Sequence, residues 1–460
     1  MRVVYLSIGM SSALNASFEL SRRLTAAGHE VVYLSHADVG PRVEAQGHRF
    51  HRLDADRRHL EQAKAEAPNP RDLLRPWRLA RSIGNRRRIR RRSIAEDELV
   101  ETVRRLEPDL LLIDIELHVA ILATAPLGIP TALPMVWFSI YRSPGLPPLH
   151  TSAKPIPGAA GKRTEWLAWT RLRLETLHME WRRRLGRWRR GDVFPAVAYD
   201  TVDIDDVRAV ARHWGFPAQR VSRRHWLRPW TYTDLPVLCF NDPALDFPHD
   251  PPPNLHYLGP MVDRRRAEAQ IPGPSADAWA AFSQRRDRER PLVYASLGTY
   301  WAADTKFLGR ILEVFRRRPE WDLVLGLGGR LDAASLPTAG DNVLALDFAP
   351  QLEVLGQADA ALTHGGIGTI NECLLLRVPM AVYSTGFVDQ DGCAARLDHH
   401  GLAVVGDKDA DDSHAIERAL ERALGDRELR GRVSAAADRL HALEASGTAV
   451  ELLETLTVRR

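Results

Sequence analysis

The chain has 460 residues, 45% of them hydrophobic and 27% charged, which excludes a disordered chain and gives more apolar mass than one ordinary core needs. Its 63 Lys plus Arg against 59 Asp plus Glu leave a formal net charge of +4, too small over this length to argue for nucleic acid. Cys239, Cys373 and Cys393 are far apart and in no metal-ligand spacing, so no disulfide framework is implied and a reducing cytoplasm fits.

Residues 3–8 are a short apolar run rich in β-branched side chains, ending at Gly9. The run reads as a first strand rather than a signal peptide, because its apolar core is brief and amphipathic residues follow directly. Leu14, Phe18, Leu20 and Leu24 recur at roughly helical spacing up to Gly28, a residue suited to close a helix. Residues 31–34 are the next strand, so the chain opens as a βαβ unit with a parallel sheet. Residues 110–113 predict another buried strand, with a helix over about 117–127 stopped by Gly128 and Pro130. The apolar stretch 110–140 carries Asp114, Glu116, His118 and three prolines, which rules it out as a membrane span.

Residues 143–235 break this pattern. Leu174, Leu177, Trp181, Leu185 and Trp188 fall on one helical face, crowded by Arg182, Arg183, Arg184, Arg187, Arg189 and Arg190. A second basic run covers 86–92. The plain reading of both is a solvated face on a core-packed helix. The sharper one is an acceptor-site lid or a membrane-surface contact. The charged stretch 263–291, with Pro272-Gly273-Pro274, reads as an interdomain connector. The second half then repeats the grammar of the first. Strands at 292–296, 323–325, 360–362 and 380–382 are expected, most of them ending in Gly and small polar residues, where open α/β sheets bind ligands.

The densest pattern is Phe348-Ala349-Pro350-Gln351-Leu352-Glu353-Val354-Leu355, then Thr363-His364-Gly365-Gly366-Ile367-Gly368-Thr369-Ile370-Asn371-Glu372. It continues through Val378-Pro379 and Asp389-Gln390 to Ala394-Ala395-Arg396-Leu397. A strand delivers His364 to its carboxyl end. Gly365, Gly366 and Gly368 let a ligand approach the backbone. A helix beginning near Gly368 offers free N–H groups and a positive dipole end, an anion site suited to a diphosphate. His364 and Thr369 can donate to phosphate oxygens, Glu372 can accept from ribose hydroxyls, and Asp389 and Gln390 can hold sugar hydroxyls. Any one glycine alone reads as a structural cap, and His364 alone as a core histidine. The ordered set is what exceeds chance.

This segment resembles the donor-binding signature of the family 1 nucleotide-sugar glycosyltransferases, including bacterial natural-product and macrolide enzymes. Ser296-Leu297-Gly298-Thr299 resembles the family's donor-phosphate loop, and the likeness extends to Asn15 through Gly28-His29-Glu30-Val31 and to Leu258-Gly259-Pro260. The resemblance implies an α/β GT-B fold, two Rossmann-like domains with parallel sheets facing across a cleft. An N-terminal acceptor-binding domain would cover 1–260, with a divergent helical acceptor region at 143–235. A linker over 261–290 would lead to a nucleotide-sugar-binding domain over 291–440, and a C-terminal helix over 441–460 could return to the first domain. It also implies inverting transfer with no metal and no cofactor beyond the nucleotide-sugar co-substrate. Phe348, where the family usually has Trp, would stack on the base, with Ala349 beside it. Gln351 would lie near base and ribose, and Glu372 on the ribose. Ser296, Gly298, Thr299, His364, Gly366, Gly368 and Thr369 would hold the diphosphate, and Asp389 and Gln390 the donor sugar.

One position departs from the family. Its general base is a histidine fifteen residues before the glycine that closes the first helix, and counting back from Gly28 gives Ala13. Asp114 matches the acidic partner of that histidine. Three readings follow: a form altered at residue 13, a different base or an acceptor such as an amine that needs none, or a binding protein that has lost catalysis. The retained Asp114 favours the first, a form impaired in catalysis. Ser12, Glu116 and His118 are nearby candidates for acceptor contact or a substitute base, and Trp181 and Trp188 for an acceptor wall. The expected activity is transfer of a sugar, UDP-glucose first and a dTDP-sugar second, onto a hydrophobic natural-product acceptor. The expected setting is cytoplasmic, as monomer or homodimer, with no nucleic-acid partner. The rival readings are a non-catalytic nucleotide-sugar-binding auxiliary protein and a nucleotide-sugar epimerase or hydrolase on the same fold.

Overall fold

The apolar runs Arg2–Leu6 (β1), Glu30–Ser35 (β2) and Leu110–Ile113 (β4) are buried almost throughout. Strands buried on both faces belong to parallel sheets covered by helices on each side. The computed structural model describes residues 1–54, 77, 81, 97–190, 210–222, 231–266, 273–298, 304–329, 331, 333, 336 and 340–458. The basic run at 86–92 lies outside them.

Among the described residues, Arg49–Arg52 (β3), Thr131–Met135 (β5), Val237–Cys239 (β8) and Leu255–Tyr257 (β9) complete a seven-stranded sheet in the order β3-β2-β1-β4-β5-β8-β9. All its pairings are parallel. Val221–Ser222 (β6) and Thr231–Tyr232 (β7) form a small antiparallel ribbon apart from it. The second sheet comprises Leu292–Ser296 (β10), Asp322–Gly326 (β11), Val343–Leu346 (β12), Ala360–Thr363 (β13), Met380–Val382 (β14) and Ala403–Val405 (β15). Its order is β12-β11-β10-β13-β14-β15, again parallel throughout.

Both sheets are therefore doubly wound. In each, the chain reverses direction across the sheet beside its first strand, at β1/β4 and at β10/β13. Such a switch point opens a crevice at the carboxyl ends of the strands. The two crevices face each other, which is the GT-B arrangement. The closing helix Thr448–Val458 lies against the first sheet, where Ala449 and Leu453 are buried with Val3, Tyr5 and Phe18. His29 Nε2 is 2.8 Å from Glu454 Oε1 on the same helix. Among the described residues no helix is long and apolar enough to cross a membrane.

Two segments differ from their sequence expectations. The stretch expected as a connector carries the helix Gly273–Arg285, whose Trp279 and Phe282 are buried in the core. Proline in a helix's first turn costs no hydrogen bond, so Pro274 starts this helix instead of breaking the chain. The 33-residue helix Gly158–Arg190 packs on a face other than the expected one: Trp169 and Leu172 are buried, whereas Leu174, Leu177 and Trp181 are exposed. The Trp169 indole N–H donates to the Leu146 carbonyl at 2.9 Å and fixes that orientation.

Trp279→Ala is expected to lower the unfolding free energy by about 3–5 kcal/mol, the usual cost of truncating a buried Trp. Urea denaturation measures it, and a loss under about 1 kcal/mol would mean that this segment is connector after all.

Candidate active site

A cavity of about 590 Å³ lies where the two crevices meet. Its N-terminal wall includes Ile8 to Ser12 after β1, Glu116 after β4, and Trp137 after β5. Its C-terminal wall includes Ser296 and Gly298 after β10, and His364 and Gly366 after β13. The helix Ile367–Leu375 begins there, with Gly366 at its N-cap, so its unpaired N–H groups point into the space.

His364 is partly exposed on the cavity wall. Its Nδ1 lies 3.4 Å from the Ser296 carbonyl oxygen. Burial pushes its pKa down to about 4, so the imidazole is neutral at neutral pH. Two glycines make room for the ring. A Cβ at Gly298 (φ +72) would sit 2.7 Å from His364 Cε1, and one at Gly366 would sit 2.6 Å from Nε2. Gly368 and Thr369 follow on the helix and line the same space. Thr299 lies outside the described residues.

Phe348 and Ala349 line the cavity at the end of β12's loop, and the Phe348 ring is 42% exposed, available to a flat partner. The Tyr294 hydroxyl donates to Gln351 Oε1 at 2.9 Å, and Gln351 Nε2 donates to a Glu372 oxygen and to Thr369 Oγ1. The other Glu372 oxygen accepts from Arg266 Nη1 at 2.7 Å. Sequence reasoning missed Arg266. It is the third arginine of a run that reads as connector charge, and only its place beside Glu372 distinguishes it.

Asp389 and Gln390 open the helix Gln390–His399. Gln390 Oε1 accepts from the Thr385 N–H (3.1 Å) and hydroxyl (2.6 Å), so its Nε2 is the end left to offer the cavity. Burial raises the Asp389 pKa to about 6. Val388, just before it, has φ 53, a left-handed conformation that a β-branched residue rarely adopts. Such strain costs about 1–3 kcal/mol and tends to mark functional positions.

The same helix is bolted to the N-terminal half. Arg396 Nε donates to Asp246 Oδ1 at 2.6 Å, and both side chains are almost wholly buried. The guanidinium also lies over Phe138 and Phe247, 5.2 and 4.5 Å from their centroids. Asn371 adds a second tie, donating to Asn241 Oδ1 at 3.0 Å.

On the acceptor side the expected residues scatter. Ser12 and Glu116 line the cavity. His118 does not; it is buried at the start of its helix, with Nδ1 3.1 Å from the Tyr232 hydroxyl. Trp181 is 59% exposed and also stands outside the lining, because its helix buries the opposite side. The Trp188 side chain lies outside the described residues. Ala13 is buried in the helix Ser11–Ala26 and presents no polar group. Asp114 Oδ2 accepts from the Ile8 N–H at 2.7 Å, and Oδ1 from the Tyr5 hydroxyl at 3.1 Å, so both oxygens tie the ends of β1 and β4 together. Burial outweighs these bonds and raises the Asp114 pKa to about 6.

The comparisons with known proteins agree with this geometry. Residues 223–441 match the family described as UDP-glucoronosyl and UDP-glucosyl transferase. NDP-glycosyltransferase YjiC of Bacillus subtilis is 32% identical over 145 residues, 32% of this chain and 36% of that one. Demethyllactenocin mycarosyltransferase of Streptomyces fradiae is 36% identical over 129 residues, 28% of each chain. These matches span well under half the length of the curated relatives. Among solved structures, the glycotransferase of kitacinnamycin superposes with a TM-score of 0.63 at 21% identity, covering 99% of this chain and 98% of that one. Glycosyltransferase VinC in complex with DTDP gives 0.63 at 20% identity, with 100% of each chain covered. At those identities the likeness is one of fold. The molecule is thus a GT-B protein. Its segment 223–441 is similar to the UDP-glucoronosyl and UDP-glucosyl transferases.

Two measurements follow from the buried acids. Arg396→Met is expected to lower the unfolding free energy by about 3–5 kcal/mol, since it leaves Asp246 without its cation; an unchanged denaturation midpoint would show the pair to be dispensable. Asp114 is held above its ordinary value of 3.8, so the fold favours the protonated acid. Its contribution is full below that value and is lost as pH rises through about 6. Asp114→Asn is therefore expected to melt higher than the parent at neutral pH, with the difference closing as pH falls toward about 4. A difference that is flat with pH would refute this.

Proposed function

We propose that the protein is an inverting glycosyltransferase that moves a sugar from a nucleoside diphosphate donor onto a hydrophobic small-molecule acceptor. The observation that carries this reading is the convergence of two switch-point crevices on one cavity. The C-terminal wall of that cavity includes Phe348, Gln351, Glu372, His364, Thr369 and Asp389-Gln390, which in this reading serve base, ribose, diphosphate and sugar. The acceptor's nucleophile attacks the anomeric carbon from the N-terminal side. A bond forms from the acceptor heteroatom to that carbon as the bond to the diphosphate oxygen breaks. The acceptor's proton is lost to a base, and the diphosphate leaves against the helix Ile367–Leu375 and His364.

UDP-glucose is the favoured donor, because Gln390 offers its Nε2 beside Asp389. A dTDP-sugar is the other candidate, supported by VinC in complex with DTDP. Relatives named for oleandomycin and for zeaxanthin support a natural-product acceptor. The three buried free cysteines suit the cytoplasm. Because Ala13 supplies no base, a second reading is favoured by that residue alone: a nucleotide-sugar binder that does not catalyse.

The test is a rate comparison at saturating donor, preceded by calorimetry with UDP and dTDP. Ala13→His is expected to raise turnover by roughly a hundred- to ten-thousand-fold, the usual worth of a general base. Equal, measurable rates for the two forms would place the base elsewhere. Nucleotide binding with no turnover in either form would support the auxiliary reading, and no nucleotide binding at all would refute both.

A further inference from the structure

Arg266 and Glu372 meet across the cleft. Arg266 belongs to the chain leaving the N-terminal half, in a turn where its N–H donates to the Asp263 carbonyl at 3.2 Å and the Arg265 N–H to Asp263 Oδ1 at 2.9 Å. Glu372 belongs to the helix of the phosphate cradle. Their ion pair, 2.7 Å long, is nearly buried, at 9% and 6% side-chain exposure.

The surrounding charges make this pair unusual. Arg266 is the only Lys or Arg among the described residues lining the cavity, which also holds the carboxylates of Glu116, Glu372 and Asp389. His364 is neutral there, because burial holds its pKa near 4. Arg42 is tied to Asn15 Oδ1 at 2.7 Å and Ser11 Oγ at 3.2 Å, and its pKa is lowered by burial first and by the charge of Arg266 second. A diphosphate entering this space meets helix N–H groups but a single full positive charge. At the same time a ribose hydroxyl that seeks Glu372 Oε1 finds that oxygen already bonded to Arg266.

We propose that Arg266 is the cationic ligand of the donor's diphosphate, and that it exchanges Glu372 for phosphate when nucleotide binds. The exchange satisfies both partners. Glu372 is released to accept from the ribose, and Arg266 takes the stronger anion in a charge-assisted bond of the kind arginine makes well. The N-terminal half thereby grips the nucleotide held by the C-terminal half. Arg266 also stays on the diphosphate as it leaves, where growing negative charge strengthens the contact. This inference rests on the donor-site reading above.

Calorimetry with UDP, inorganic pyrophosphate and uridine separates the possibilities. In Arg266→Gln, affinity for UDP and pyrophosphate is expected to fall roughly ten- to a hundredfold, the worth of a hydrogen bond to a charged group. Uridine affinity is expected to hold or rise, because Glu372 is freed. Arg266→Lys is expected to recover most of the loss. Glu372→Gln provides a second route: it should weaken uridine and leave pyrophosphate binding intact or stronger. An equal loss of UDP and uridine in Arg266→Gln, or an unchanged UDP affinity, overturns the proposal while leaving the donor site standing. If Arg266→Gln does not fold, weaker pyrophosphate binding in Glu372→Gln overturns it instead. Failure of the unaltered protein to bind UDP, dTDP or pyrophosphate overturns the donor site and this proposal together.

Discussion

Arg396 and Asp246 meet where no water screens them, and the shape of the cleft depends on that meeting. A buried ion pair is a poor source of stability in itself, because two charges must leave water to form it. It is strong in another respect: once formed, it admits few alternatives. Asp246 also accepts from the Ser139 and Phe247 N–H groups and from the Tyr257 hydroxyl. Arg396 uses its remaining surface on Gly392 and two aromatic rings. The helix Gln390–His399 can therefore sit in one place against the N-terminal half. Asp389 and Gln390, at the start of that helix, inherit the position. That end of the cavity is thus set by a contact further along the helix.

The two sheets explain why a cavity exists there at all. Each has the same doubly wound order, so each leaves a crevice at the carboxyl ends of its central strands. In the C-terminal crevice the strand-to-helix turn is bare backbone and a partly exposed imidazole. In the N-terminal crevice the equivalent positions carry Ser11, Ser12 and Ala13, with Asp114 spent on Tyr5 and the Ile8 N–H. One half presents the N–H groups of a helix start to the cavity. The other presents small side chains opposite them.

Much of this was legible in the residues. The alternation of short apolar runs with helical periods gives both parallel sheets, and Gly365-Gly366-Ile367-Gly368 marks the helix start that lines the cavity, because backbone motifs are local. Three features were not legible, each for a physical reason. Pro272-Gly273-Pro274 looks like a break, yet proline is as good at starting a helix as at ending one. The apolar stripe through Leu174, Leu177 and Trp181 looks like a packing face, yet Trp169 and Leu172 on another side won the contact. Arg266 looks like one of several linker charges, and only the fold brings it to Glu372, more than a hundred positions away. Contacts between distant segments leave no periodic signal.

The glycines around His364 have a consequence for how this protein can change over generations. Every substitution at Gly298 or Gly366 adds at least a Cβ, and each such atom would lie well inside contact distance of the imidazole. The ring would have to move, and its Nδ1 lies 3.4 Å from the Ser296 carbonyl oxygen. Neither glycine has a conservative neighbour in sequence space, not even alanine. Phe348, with an open face, can drift among flat or bulky side chains and alter what the cavity prefers. Divergence in this molecule is therefore channelled: the rim of the cavity can wander, while the turn beneath it stands still.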